Sequence, residues 1–166
     1  MGFKLVILII ATVLTGLSAG LCFTWTNAIT TGIGKLDNLG YLQAFQQMNR
    51  TIINPTFIVV FFGPLLVQLI SIFLWKGIPK TIMIHLITAT LVYFFGLVLV
   101  TIFGNVPLNE ILNNTNLATA STNDLQSLRN LFEVRWNQLH LIRTISSLIA
   151  FVLLIITLVK TAQYQS

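Results

Sequence analysis

The sequence predicts an all-α integral membrane protein: four transmembrane helices in an up-down bundle, with two extramembrane amphipathic helices on the outer side. Three observations predict it. Only 8% of the 166 residues are charged and 55% are hydrophobic, whereas soluble domains carry about 25% charged residues. Such a chain has no polar skin, and its mean hydropathy of +0.88 makes lipid its solvent. The apolar residues gather into four stretches, about 3–25, 56–75, 81–103 and 139–159, and about 20 apolar residues cross about 30 Å of hydrocarbon as a helix. None of these stretches alternates with the period of a barrel wall. A single membrane domain, 1–166, follows, with outer loops at 26–55 and 104–138 and an inner loop at 76–80.

The first span begins beside Lys4, and Ser18-Ala19-Gly20 resembles a signal-peptidase site. Its apolar run is long for a signal core, so it reads as a retained span. Met-Gly at the start is no myristoylation signal, because Val6 stands where Ser or Thr is needed. Gly16 and Gly20 form a small-xxx-small pattern that lets helix backbones approach closely. In the first outer loop, Leu42, Phe45, Met48 and Ile52 share one helical face. The second span contains Gly63-Pro64, which predicts a kink or a break. Only Lys76-Gly-Ile-Pro-Lys80 joins spans two and three, so they form an antiparallel hairpin. The second outer loop holds a turn-rich, mobile stretch over 113–123. An amphipathic helix follows, N-capped by Thr122 or Asn123 and presenting Leu125, Leu128, Leu131, Phe132 and Trp136. It is expected to run directly into the fourth span. The halves share a plan: a span, an Asn just outside it (Asn27, Asn105), an amphipathic helix, and another span.

Four spans put both termini on one side, with Lys4, Lys76, Lys80 and Lys160 and without an acidic residue. The two lysines in the short loop place that side in the cytoplasm, and the long loops outside. Cys22 is the sole cysteine, which excludes an intramolecular disulfide and the thiol-pair chemistry of small membrane oxidoreductases. The charge of +5 is spread without a basic run, so nucleic acid is not an expected partner. No metal-ligand spacing links His85 and His140, and haem, flavin and nucleotide motifs are absent.

Ionisable residues at membrane depth mark function or demand a structural excuse. His85 near the inner end of span three reads as an interfacial or helix-bonded histidine. Gln68 and Tyr93 read as hydrogen-bonding glue. Trp136, His140 and Arg143 stand at i, i+4 and i+7, on one stripe where the fourth span begins. Taken alone they form an interfacial belt. The other helices bring Trp25 and Asn27, Asn54, and Asn105 and Asn109 to the same outer level. Amides make poor lipid contacts, since an unpaired polar group there costs several kcal/mol. The expectation is therefore a polar chamber at the outer mouth, with Phe132 and Asn137 also in its wall.

Trp25-Thr-Asn27, Met48-Asn49-Arg50 with Asn54-Pro55, Asn105-Val-Pro107-Leu-Asn109 and Arg135-Trp136…His140…Arg143-Thr144 together resemble the anthrone-oxygenase-like family, small four-helix bacterial membrane proteins. The resemblance implies a multi-pass protein of the bacterial cytoplasmic (inner) membrane. It also implies oxidation of anthrones to anthraquinones, with O2 as co-substrate and without a cofactor. An anthrone carries a doubly benzylic C–H that enolises readily, and its anion reacts with O2. Such a site needs a base, an oxyanion stabiliser and an apolar slot. His140, with a reference pKa of about 6.5, suits the first. Arg143 with Asn27, Asn54 or Asn105 suits the second, and Trp25, Trp136 and Phe132 the third. The competing class is non-catalytic: a membrane accessory subunit, or a lipid- or quinone-binding protein of a larger complex. The expected partners are membrane lipids and a flat hydrophobic aromatic molecule, with a membrane protein partner under the second reading. A transporter is the weaker third class, because four helices leave little room for a water path.

Overall fold

The computed structural model describes residues 2–165, and among them the regular structure is entirely helical. Helix α1 (Phe3–Thr24) continues through a π-helical turn (Trp25–Ile29) into the short α2 (Thr30–Ile33). The amphipathic α3 (Asn38–Ile52) lies across the outer end, and α4 (Pro55–Leu74) descends. Helix α5 (Lys80–Tyr93) returns through two π-helical turns (Phe94–Leu99, Thr101–Asn105) into α6 (Val106–Asn114). Helix α7 (Thr122–Gln165) closes the bundle. Four helical stretches are long and apolar enough to cross a membrane: Phe3–Ile33, Pro55–Leu74, Lys80–Asn114 and Thr122–Tyr164.

The spans therefore overrun their expected outer ends. At about 1.5 Å per residue, the 44-residue α7 is about 66 Å long, twice the hydrocarbon thickness. The second amphipathic helix and the fourth span are one rod, as expected. Its cap lies one residue earlier than predicted. Ser121 Oγ accepts from Asp124 N at 3.2 Å, while the Asp124 carboxylate accepts from Ser121 N at 3.2 Å, a reciprocal capping box.

Helix α1 packs against α4 and α7, and α5 packs against α7 and, less extensively, α4. Gly16 carries the closest approach: a Cβ there would sit 2.7 Å from the Phe151 ring of α7, whereas Gly20 faces open space. Helix α4 runs continuously through Pro64, so of the expected kink or break the break does not occur. At the inner end Gly77 takes φ +94°, a conformation that only glycine adopts cheaply, and so turns the α4–α5 hairpin. Trp75 donates its indole N–H to the Lys4 carbonyl at 3.3 Å, which ties the amino-terminal end of α1 to this hairpin.

The core has three levels. Leu8, Leu86, Ala89 and Leu154 fill the inner one. Phe61, Tyr93, Leu97 and Ala150 fill the middle. Tyr41, Leu42, Phe45, Leu112, Phe132 and Trp136 form the outer one, a cap built by α3, α6 and the start of α7. Phe45 is fully buried there, so its truncation costs about 3–5 kcal/mol. Polar glue ties the levels together as the sequence implied. Gln68 donates to Thr15 Oγ1 at 2.9 Å, and the Tyr93 hydroxyl bridges Ser18 Oγ (2.9 Å) and the Phe61 carbonyl (2.8 Å). His85 bonds within its own helix, Nδ1 to the Thr81 carbonyl at 2.6 Å.

On the cap, Arg129 gathers four acceptors. It reaches Glu133 at 2.7 Å, the Leu36 and Gly34 carbonyls at 2.8 Å each, and Asn38 Oδ1 at 3.3 Å. Its guanidinium also lies 4.5 Å from the centroid of the Tyr41 ring. Burial, assisted by the Glu133 carboxylate, pushes the Tyr41 phenol well above its ordinary pKa.

Candidate functional site

The site lies where the cap meets the bundle. Its base is positioned by two helices. On α7, Trp136, His140 and Arg143 share one stripe facing inward, and all three are buried (4%, 3% and 8% exposed). An interfacial belt would leave these groups among lipid headgroups; instead they sit beneath the cap. From α1, the Cys22 carbonyl receives the stripe. It lies 3.1 Å from His140 Nε2 and accepts from Thr144 Oγ1 at 3.3 Å. Thr144 also meets Thr26 Oγ1 at 2.8 Å, so the contact is a small lattice of bonds.

This geometry fixes the histidine. A carbonyl can only accept, so Nε2 carries the proton in the neutral ring, and Nδ1 holds the lone pair. Nδ1 is buried and has no hydrogen-bond partner. The ring cannot easily rotate, because Trp136 stacks on it at 4.8 Å and 12° while Trp25 packs at 6.2 Å. The result is an oriented basic nitrogen with no hydrogen-bond partner from the protein.

Arg143 stands a turn below. Its guanidinium lies 5.8 Å from the Phe61 ring centroid and against the Cys22 thiol. Its Nε has no partner. Among the described residues the ion pair is Arg129–Glu133, on the cap. Arg143 is thus a buried cation without a carboxylate, a costly arrangement that an anionic or strongly dipolar ligand would relieve.

The remaining predicted residues divide. Phe132 and Trp136 are packed with Phe45, at 4.7 Å from its ring centroid in each case, and Trp25 completes the cluster at 5.7 Å. These rings fill their volume, so the expected aromatic slot is closed. Asn109 accepts from the Trp136 indole at 2.8 Å. Asn105 donates to the Trp136 carbonyl at 3.3 Å and leaves its buried Oδ1 unpartnered; the Asn137 Oδ1 and the Trp25 indole N–H are buried and unpartnered too. Asn27 is exposed, because residues two apart on a helix face opposite ways and Trp25 takes the inward one. Asn54 is spent as the N-cap of α4, accepting from Phe57 N at 3.0 Å and donating to Thr51 O at 3.1 Å. These two amides do not join the cluster.

Two elements escaped the sequence. The Cys22 carbonyl is a backbone atom, and no residue type announces it. The π-helical turns that carry Trp25 and Asn105 leave no compositional mark, although such turns often sit at functional sites. Both halves of the chain place one at the outer end of their first span, which fits the shared plan. Among the described residues, no three His, Cys, Asp or Glu side chains gather as a metal-binding group.

A family model described as anthrone oxygenase matches residues 56–153, more than half of the chain, and the chain belongs to that family. The match spans α4 through most of α7, including Asn105, Asn109, Phe132, Trp136, Asn137, His140 and Arg143. No curated protein and no solved structure matches it.

Proposed function

We propose that this member of the anthrone oxygenase family is a membrane-embedded, cofactor-independent oxygenase acting on anthrone-like polycyclic aromatics. His140 is the base and Arg143 the oxyanion stabiliser. The observation that carries this reading is the pairing of an oriented, unpartnered His140 Nδ1 with a buried guanidinium that lacks a carboxylate, one helical turn apart.

His140 Nδ1 takes the proton from the doubly benzylic carbon, and the electron pair delocalises onto the ring oxygen, where Arg143 holds the charge. The Cys22 carbonyl steadies the imidazolium that forms, since it already accepts from Nε2. The carbanion gives its electrons to O2, and a C–O bond forms to yield a hydroperoxide. His140 returns its first proton to the peroxide and then takes the remaining hydrogen from that carbon as a proton. The C–H electrons form the second ketone as the O–O bond breaks, and the departing hydroxide leaves as water with that proton. One anthrone and one O2 thus give one anthraquinone and one water. Asn105 and Asn137, each with a buried free carbonyl oxygen, are placed to accept from substrate hydroxyls. In the cell the protein lies in the bacterial cytoplasmic membrane with the cap outside, as the two lysines of the inner loop suggest.

The test is O2 uptake by purified protein in lipid nanodiscs supplied with anthrone. Wild type should consume one O2 per anthrone above the protein-free background, with His140→Ala and Arg143→Ala at background. Variants equal to wild type, or no uptake above background in any sample, would return the protein to the accessory-subunit reading.

A further inference from the structure

The proposed site has no open slot on its outer side, which raises the question of access. Phe45 and Phe132 are fully buried and Trp136 nearly so. Opening that route would take apart the core of the cap. The outer cleft offers no alternative: Gln43, Gln46, Gln47 and Arg50 line it, amides and a cation that do not suit a flat hydrocarbon.

A second cleft lies on the flank of the bundle. It is a groove of about 520 Å³ between α1 and α4, lined by Leu17, Leu21, Ile52, Phe57 and Val60, with Asn54 at its outer rim. The size falls within the range of about 300–1,000 Å³ for small-molecule sites. Leu17 and Leu21 are exposed on a membrane-spanning helix, so the groove opens sideways into lipid. Its wall leads inward by one ring. Phe57 stacks on Phe61 at 5.2 Å and 28°, and Phe61 carries the Arg143 guanidinium at 5.8 Å. Leu21 precedes Cys22, whose carbonyl holds His140. Phe57 is half-buried and packs on the lipid-facing edge of the middle core level, whereas Phe61 behind it is buried, so Phe57 is the ring of this wall with the most room to turn aside.

We propose that this groove is the portal through which a planar, uncharged polycyclic arene bearing a ring oxygen passes from the bilayer, with Phe57 as the gate and Arg143 as the group that receives the oxygen. The inference rests on the function proposed above and specifies how its substrate arrives. Arg143 supplies the reason for this occupant rather than a lipid tail. A buried cation with an unpartnered Nε gains nothing from a hydrocarbon chain, but it is relieved by a polarised or enolate oxygen at the end of a flat ring system. Stacked phenylalanines offer such rings a face at each step.

The test uses wild type, Val60→Trp and Leu21→Trp, which fill the groove, and Gln47→Trp, which fills the outer cleft. All are placed in nanodiscs and irradiated with 2-azidoanthraquinone, and the adducts are mapped by mass spectrometry. Adducts on α1 and α4 around Leu21, Phe57 and Val60, lost in both groove variants and kept in Gln47→Trp, are the expected result. Labelling at the outer cleft, equal labelling in all variants, or none above a lipid-only control would overturn the portal. The same variants separate the two proposals in turnover. With a portal, the groove variants raise KM for anthrone about tenfold or more while kcat at saturation is retained. A wild type that turns over anthrone, with groove variants of unchanged KM, sinks the portal and leaves the function standing. Groove labelling in a wild type without O2 uptake sinks the function and leaves an arene-binding site.

Discussion

Replacing Arg143 by Met separates a residue kept for chemistry from one kept for structure. A charged side chain costs up to about 2.5–3.5 kcal/mol in a membrane helix on insertion scales, most at the centre and less toward the ends. Arg143 lies about one turn inside the outer end of its span. Arg143 is buried, has no carboxylate partner and leaves its Nε unsatisfied, so little offsets that cost. What it does gain is its position over Phe61, 5.8 Å from the centroid, worth up to about 2 kcal/mol when desolvated. With the Cys22 thiol contact also lost, the difference is at most about 1 kcal/mol in favour of Met, which matches the stem of Arg in shape and brings no charge. For a chain of this length the unfolding midpoint then stays level or rises by up to about 4 °C. Turnover should fall about 10²–10³-fold, as for loss of an oxyanion donor. Thermal unfolding in detergent read by circular dichroism, alongside O2 uptake with anthrone, measures both. A midpoint lowered by several degrees would show that Arg143 is structural, and the reasoning from its missing partner would be wrong.

Two further outcomes follow from the fold. Tyr41 is fully buried with its hydroxyl unpartnered, and its phenol is pushed up. The folded state therefore keeps a proton that the unfolded state releases above about pH 10, so its contribution to stability is present below that pH and falls as pH rises through it. Tyr41→Phe should be about 1 kcal/mol more stable near neutrality and should flatten the alkaline decline in a series of urea unfolding curves; an unchanged slope would contradict this. At Gly96, in a π-helical turn, an added Cβ would overlap Ser146 of α7. Gly96→Ala should lose about 1–3 kcal/mol, and Ser146→Gly in the same chain should recover most of it, read as the shift in unfolding midpoint.

The membrane architecture was legible because hydrophobic length and loop length are properties of the sequence itself. The continuity of α7 was legible for a related reason: the apolar face from Leu125 to Trp136 carries on without a breaker into the fourth span. The stripe of Trp136, His140 and Arg143 could be read from spacing, and the structure buries all three. Spacing misled for Asn27 and Asn54. Being at the right height in the membrane does not decide which way a side chain points, and a residue preceding Pro55 is a natural N-cap that spends its amide locally. The aromatic slot was misjudged because rings of suitable type also pack well against each other, as Phe45 does with Phe132 and Trp136. The Cys22 carbonyl and the π-helical turns depend on backbone geometry, which side-chain identity does not encode.

The central claim is that His140 removes a carbon-bound proton. Anaerobic incubation of anthrone with the protein in deuterated buffer isolates that step from oxygen chemistry, because deuterium enters the doubly benzylic carbon only when its C–H is broken and remade. Wild type should speed this exchange well above protein-free nanodiscs, and His140→Gln, which keeps an amide near the Cys22 carbonyl but has no basic nitrogen, should not. Equal exchange in wild type and His140→Gln would contradict the claim.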